Sequence, residues 1–183
     1  MRLVFAFAEL TIITGLLASC CGVAPEAEAP DRVFLPVPAF ISESVTVFRS
    51  GTYKCGAWLS GPAELTTALH CYNGEDANAE RVAIRSVRRM DILRDTVVFD
   101  LANTNPTWLD PGKPYDNEIV DVVSPIFGVS ITPVTAVSSN FVNLEWTAKP
   151  GWSGSPAIGP DGTVACMISA YYYAGGTKCV KVK

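Results

Sequence analysis

The sequence contains little charge and a single histidine, and both shortages exclude classes of function. Charged residues make up 17% of the 183 residues and apolar residues 49%, and like charges never form a long run. With a formal net charge of -4 and no basic stripe, the chain is not expected to bind nucleic acid. Since His70 is the only histidine and no cysteines have zinc-ligand spacing, no metal site is expected either.

Helical periodicity is also scarce, and short strand-like runs take its place. From Val33 onward, Val, Ile, Thr and aromatic residues alternate with turns rich in Gly, Pro, Asn and Asp, which predicts an all-β domain. The turn-dense stretch Leu101–Pro114 predicts a linker between residues 33–105 and 106–183. Asp161-Gly162 predicts a hairpin turn. The expected strands are Val45–Phe48, Cys55–Ser60, Glu64–Ala68, Arg81–Val87, Thr96–Asp100, Ile119–Val123, Thr135–Val137, Asn143–Glu145, Pro156–Ile158, Thr163–Ala170 and Cys179–Val182.

The N-terminus differs from the rest of the chain. Residues 3–18 are nearly all apolar but too short for a comfortable membrane span of about 20 residues, so residues 1–20 predict a signal peptide and export. The string LASC, which ends at Cys20, is similar to the lipobox of bacterial lipoproteins and implies a lipidated membrane tether there. Cleavage by ordinary signal peptidase is the open alternative. Residues 21–32, rich in Ala, Glu and Pro, predict an extended tether.

Cysteine usage indicates an oxidising compartment. Of the six cysteines, four fall into two local pairs, Cys55 with Cys71 and Cys166 with Cys179. Cys20 and its neighbour Cys21 are left over. The expected location is therefore extracellular, periplasmic or attached to the cell envelope.

The first motif that carries chemistry surrounds the only histidine. The strings CGAWLS (Cys55–Ser60) and LTTALHC (Leu65–Cys71) resemble the histidine region of trypsin-like serine proteases. In that family a hairpin bounded by two cysteines presents the general base. The resemblance implies that His70 has this role.

A second motif, GWSGSP (Gly151–Pro156), resembles the nucleophile motif of the same family. Flanking glycines allow a tight turn that exposes the serine hydroxyl and leaves backbone N–H groups pointing at one spot. The resemblance implies that Ser153 is the nucleophile and that the N–H groups of Gly151 and Ser153 form the oxyanion hole. Trp152 stands where zymogens of this family carry an aspartate, so activation through that salt bridge is not expected.

The third catalytic group must be a carboxylate between these two motifs, because it holds the imidazole in the correct tautomer. The string DTVVFDL (Asp95–Leu101) resembles the aspartate of the family and the aliphatic strand that follows it. We therefore favour Asp95, which leads that strand. Asp91 and Asp100 are rival candidates.

Further positions match the substrate cleft of the family. Ser169 is expected to contact Asp95 from a strand that pairs with extended substrate. Thr147 matches the base of the specificity pocket, where an uncharged residue argues against a preference for Arg or Lys. Tyr171 is expected to narrow this pocket in favour of small or medium apolar side chains.

The resemblance implies an all-β fold of two packed six-stranded antiparallel β-barrels with the active site between them. The implied function is a monomeric serine endopeptidase that acts on protein or peptide substrates without metal or organic cofactor. A non-catalytic relative, which uses the same fold as an envelope or binding protein, is the main alternative. An esterase is a third, although the order His, Asp, Ser differs from that of α/β-hydrolases.

Overall fold

A computed structural model describes residues 38–173 and 176–182, which form two β-sheets preceded by one short helix. The helix α1 (Ala39–Ser44) follows Pro38, a residue type suited to helix starts. The strands of the first sheet are β1 (Val45–Ser50), β2 (Tyr53–Gly61), β3 (Glu64–Ala68), β4 (Ala77–Ala79), β5 (Ile84–Asp91) and β6 (Thr96–Leu101). Those of the second are β7 (Ile119–Ser124), β8 (Gly128–Val137), β9 (Phe141–Leu144), β10 (Pro156–Ile158), β11 (Val164–Tyr173) and β12 (Gly176–Val180).

Both sheets have six strands, and neighbouring strands pair antiparallel throughout. The second sheet is a closed barrel in the order β10-β11-β12-β9-β8-β7, which the pairing of β10 with β7 completes. The first has the order β4-β1-β2-β3-β6-β5, and within the described residues its end strands do not pair. The predicted all-β class with two six-stranded units is confirmed, and the first unit is a half-barrel because three-residue β4 pairs only with β1.

Most of the expected strand bounds differ from the observed ones by one to three residues at an end, and three strands show larger differences. Strand β4 was not expected, since three residues around Asn78 carry no alternating pattern. Strand β5 begins and ends later than predicted, and it continues past Val87 through Arg88 and Arg89, whose exposed positions carry no alternating apolar pattern. Strand β8 is much longer than Thr135–Val137: up to Pro133 it pairs with β7, and from Val134 it pairs with β9. The proline lies where the strand changes partner, so its missing N–H is not needed there.

Apolar side chains form one core in each sheet and a third cluster that joins them. Phe48 and Phe99 are buried in the first sheet, and Val122 and Ile168 in the second. Burial of each such side chain contributes about 1.5 to 3 kcal/mol. The joining cluster contains Trp58 of β2, which is 1% exposed, and residues of α1, β1, β7, β10, β11 and the connecting segment. The two sheets therefore pack together within one compact unit.

The segment between β6 and β7 spans residues 102–118 and contains the predicted boundary at 105/106. It packs into the joining cluster through Leu109, whose N–H donates to Leu59 O at 2.9 Å. Among residues 38–173 and 176–182, no helix is long and apolar enough to span a membrane. The predicted signal peptide, Cys20, Cys21 and the tether lie outside the described residues.

Candidate active site

Strand register positions His70 beside the start of β6. Strand β3 ends at Ala68, opposite Thr96 of β6, and His70 follows in a short 3-10 helix, Leu69–Cys71. The N–H of Leu69 donates to Asp95 O at 2.8 Å. Because Cys71 forms a disulfide with Cys55, this helix is also linked covalently to β2, the strand that pairs with β3. The histidine is thus held from both sides within the first sheet.

Asp95 lies in the tight turn between β5 and β6, and its side chain accepts three hydrogen bonds. Its carboxylate accepts from His70 N–H at 2.9 Å, from His70 Nδ1 at 2.6 Å and from Ser169 Oγ at 2.6 Å. The side chain of Asp95 is 14% exposed, against 39% for His70. An ionised carboxylate can only accept, so the proton is on Nδ1 of His70 and Nε2 is left as the acceptor.

The electrostatics favour an ionised Asp95. Burial alone raises the pKa of Asp95, but the hydrogen bonds from His70 and Ser169 and the charge of His70 outweigh it and hold this pKa below its ordinary value. The hydrogen bond from Ser169 to Asp95 is the contact that the sequence predicts. It crosses from the second sheet to the first, since Ser169 belongs to β11.

The two rival carboxylates have other partners. Asp91 accepts hydrogen bonds from the backbone N–H and Nη1 of Arg94 in the same turn. Asp100 accepts from Ser86 Oγ and from Arg88 Nε, and the hydrogen bond from Arg88 lowers the pKa of Asp100. Of the three candidates, Asp95 is the one bonded to His70.

Ser153 lies in the turn that leads into β10, where glycines at two positions take backbone conformations that other residues avoid. Gly151 has φ of 95° and Gly154 has φ of 80°. The N–H of Gly154 donates to Ile168 O at 2.8 Å, which ties the turn to β11. A Cβ at Gly154 would overlap Gly56 O and Thr67 Oγ1, so only glycine fits.

One backbone hydrogen bond joins this turn to the histidine hairpin. Gly56 N–H donates to Ser153 O at 2.8 Å, and Thr67 Oγ1 donates to Gly56 O at 2.6 Å. Gly56 is adjacent to Cys55 of the disulfide, so the bond connects the Ser153 turn to the strand pair that carries His70. Ser153 is 4% exposed.

Within the described residues, no hydrogen bond joins Ser153 Oγ to His70 Nε2. Catalytic hydrogen bonds are often long before substrate binds. The backbone N–H groups of Gly151 and Ser153 likewise donate to no acceptor among the described residues. An oxyanion hole requires two such donors that point at the same place.

A cavity of about 420 Å³ opens beside His70 and Asp95. Part of its lining is apolar, with Ile92 and Leu93 of the β5–β6 turn and Phe141 of β9. Ile92 and Leu93 are 83% and 82% exposed, which is unusual for aliphatic side chains and leaves them available to a bound chain. Lys178 Nζ lies 3.8 Å from the centroid of the Phe141 ring and adds one cation.

The remaining predicted substrate contacts are less closely tied to the site. Thr147 lies exposed in the segment before Ser153, and its neighbour Ala148 donates its N–H to Thr177 Oγ1 at 2.5 Å. Tyr171 belongs to β11, and its side chain lies outside the described part of the structure. The specificity roles of both residues stay predictions.

Both predicted disulfides form, Cys55–Cys71 and Cys166–Cys179. Two features of the site were missed by sequence reasoning: the contact of Gly56 with Gly154, and the ring of Phe127 against Gly151. Neither has a local signal, because each joins segments far apart in the chain. Within residues 38–173 and 176–182, no cluster of three or more His, Cys, Asp or Glu side chains could hold a metal ion.

Solved structures with this fold include several proteases. The chain matches the Rv3671c protease in its inactive form at a TM-score of 0.58 and 17% identity, over 82% of this chain and 93% of that chain. The serine endoprotease from Yersinia pestis gives 0.65 at 13% identity, over 80% of this chain and 63% of that one, so the chain spans less than two thirds of that protein. An inactivated protease paralogue from the scabies mite gives 0.62 at 11% identity, over 82% and 94%.

These likenesses show the fold, which is the chymotrypsin-like fold that the sequence motifs predict. No protein-family model and no curated protein sequence matches the chain.

Proposed function

We propose that the protein is a serine endopeptidase that uses His70, Asp95 and Ser153. The observation that carries this proposal is the hydrogen-bonded group of His70, Asp95 and Ser169, to which the Ser153 turn is joined through Gly56. A carboxylate on Nδ1 leaves Nε2 as a base, and Ser153 is the nucleophile that the glycine-rich turn presents.

In the proposed reaction, Ser153 Oγ attacks the carbonyl carbon of the scissile peptide bond while its proton passes to His70 Nε2. The N–H groups of Gly151 and Ser153 stabilise the negative oxygen that forms, each by roughly 3 kcal/mol. His70 then gives the proton to the leaving amine as the C–N bond breaks, which leaves an acyl group on Ser153. Water attacks this ester, its proton goes to His70, and the proton returns to Ser153 as the acid product leaves.

Asp95 keeps the Nδ1–H tautomer throughout and stabilises the imidazolium that forms in each step. The lowered pKa of Asp95 supports this role, because the carboxylate stays ionised at neutral pH. Ser169 donates to the same carboxylate oxygen as His70 and thus orients it.

The substrate that suits the cavity is an extended protein or peptide segment with apolar side chains before the scissile bond. Ile92, Leu93 and Phe141 supply an apolar wall beside His70. The two disulfides support an oxidising compartment, extracellular or periplasmic. Whether Cys20 carries a lipid is a separate expectation that labelling with a radioactive fatty acid would test.

The direct test is covalent labelling of the purified protein with a fluorophosphonate, which reacts with activated serines. We expect labelling of the wild type and none of Ser153→Ala. The matched control is Ser155→Ala in the same turn. Ser155 Oγ is buried, and among the described residues it neither accepts nor donates a hydrogen bond. Ser155→Ala should therefore label as the wild type does.

Equal labelling of Ser153→Ala and wild type would refute the assignment of the nucleophile. The alternative of a non-catalytic binding protein has one observation in its favour, the absence of a described hydrogen bond between Ser153 Oγ and His70. It predicts that a folded wild type shows no labelling at all.

A further inference from the structure

The turn that carries Ser153 contacts an aromatic ring that belongs to neither motif. Phe127, in the turn between β7 and β8, stacks on Trp152 with ring centroids 5.5 Å apart and planes at 21°. Trp146 meets Trp152 edge-on, with centroids 4.6 Å apart and planes at 74°. Trp152 is 7% exposed, so the residue before the proposed nucleophile is anchored between two rings in the core of the second sheet.

Phe127 also touches the residue on the other side of Trp152. A Cβ placed on Gly151 would lie 2.9 Å from Phe127 Cε2, closer than side chains tolerate. The absence of a side chain at Gly151 therefore lets the ring approach the backbone. One ring thus contacts both residues that precede Ser153.

Backbone hydrogen bonds also hold this stretch, because Trp152 O accepts from the N–H of Ser155 at 3.0 Å and Ser153 O accepts from the N–H of Gly56 at 2.8 Å. Among the described residues, the N–H groups of Gly151 and Ser153 have no acceptor, and the N–H of Trp152 donates to Lys149 O at a long 3.2 Å. Trp152 carries no charge, so no ion pair can hold the turn through this side chain. The ring contacts add to these hydrogen bonds as a restraint on the direction of the N–H groups, and at the N–H of Gly151 they are the restraint that the described residues show.

The position of Phe127 is itself set by the end of β7. Ser124 Oγ accepts hydrogen bonds from the N–H of Ile126 at 3.2 Å and of Phe127 at 3.3 Å. Ser124 is 3% exposed, whereas Phe127 is 49% exposed. A half-exposed ring contributes less to the core than a buried one, so its effect on the turn is separable from its effect on folding.

We propose that Phe127 is a positioning residue that holds the backbone from Gly151 to Ser153 in the conformation that points its two free N–H groups at one place. This inference rests on the proposed endopeptidase function. Since the restraint is apolar, it needs neither a charged group nor a particular pH. The restraint positions the two N–H groups that would stabilise the negative oxygen of the transition state. It leaves the substrate cavity beside His70 unchanged.

The kinetic test compares Phe127→Ala with Phe127→Tyr, which keeps the ring. We expect Phe127→Ala to lower kcat about ten-fold, which is less than the roughly 100-fold or larger loss of an oxyanion donor, with KM within about two-fold of wild type. Phe127→Tyr should restore kcat. Tyr115→Ala is the control, since Tyr115 is 63% exposed and takes no part in the site.

An unchanged kcat in Phe127→Ala, or an equal loss in Phe127→Tyr, would overturn the inference. So would a rise in KM that accounts for the whole effect, because that would indicate lost substrate binding instead of lost positioning.

A second measurement does not depend on catalysis. In a Ser153→Ala background, hydrogen exchange should be faster in Phe127→Ala at the hydrogen-bonded amides of Trp152, Gly154 and Ser155. Amides of β9 serve as the internal reference. If these three amides exchange at the same rate with and without the ring, the positioning role is refuted even if the protein labels with fluorophosphonate. If they respond and the wild type never labels, the proposed function alone fails.

Discussion

The two halves of the proposed site are held in place by different forces. His70 and Asp95 lie in the first sheet and are fixed by hydrogen bonds to an ionised carboxylate, which is 14% exposed. The turn with Ser153 belongs to the second sheet and is fixed by glycines, backbone hydrogen bonds and aromatic packing. The first half should therefore respond to charge and pH, and the second to side-chain volume and backbone conformation.

The largest effect should come from removing the charge in the first half. We expect Asp95→Asn to lower kcat about 10⁴-fold, because an amide in place of the carboxylate favours the wrong tautomer of His70. The backbone of Asp95 has φ of 47°, which asparagine tolerates, so the fold should persist. Steady-state kinetics on a peptide substrate would measure the loss. A loss below about ten-fold would mean that Asp95 does not orient the base.

The second half can be tested with two glycines that share one backbone conformation. Gly154 has φ of 80° and Gly162 has φ of 81°, but a Cβ would overlap Gly56 O at Gly154 and meet nothing at Gly162. We expect Gly162→Ala to lower the free energy of unfolding by about 1 to 2 kcal/mol, the cost of the left-handed conformation. Gly154→Ala should cost more, about 3 kcal/mol or above, and abolish activity.

Urea unfolding of the two alanine variants would separate backbone strain from the contact between sheets. Equal destabilisation would mean that the approach of Gly154 to Gly56 adds nothing to the position of Ser153.

The smallest effect should be on stability in acid. The pKa of Asp95 is lowered in the folded protein, and an unfolded aspartate has a pKa of about 3.9. The ionised carboxylate therefore stabilises the fold above the unfolded pKa, and this stabilisation is lost as the pH falls through the lower, folded pKa. The stability advantage of wild type over Asp95→Asn should accordingly shrink between about pH 5 and pH 2.

Urea unfolding of both proteins across this range would measure the change, with the exposed Asp116→Asn as control. A gap that widens on acidification would contradict the assignment of the lowered pKa.

Much of the fold was predictable because strands and turns have local signals. The all-β class, the hairpin at Asp161-Gly162 and most strands between Val45 and Val180 follow from alternating apolar residues and turn residues. Strand β4 and the first half of β8 could not be predicted from these local signals. The three residues of β4 are too few to show a periodic pattern. Pro133 predicts a break in the strand unless it is known that β8 changes its pairing partner there.

The candidate site was likewise predictable only in part. His70 and Ser153 stand in recognisable strings, whereas three aspartates competed for the third position. The register that sets Ala68 opposite Thr96 decides which of them faces His70, and register depends on pairing across the sheet. The pairing of β5 with β6 brings Asp100 to Arg88, whereas Asp91 contacts Arg94 locally, three residues further along the chain.

The sequence by itself determined the elements and the candidate chemical groups, because turn residues, apolar alternation and short motifs act over a few neighbouring positions. Only the tertiary structure decided which distant segments meet: Ser169 on Asp95 and Gly56 on the Ser153 turn between the sheets, and Phe127 against Gly151 within the second sheet. Each of these contacts joins segments far apart in the chain, so it depends on how the two sheets pack and on the space that a missing side chain leaves.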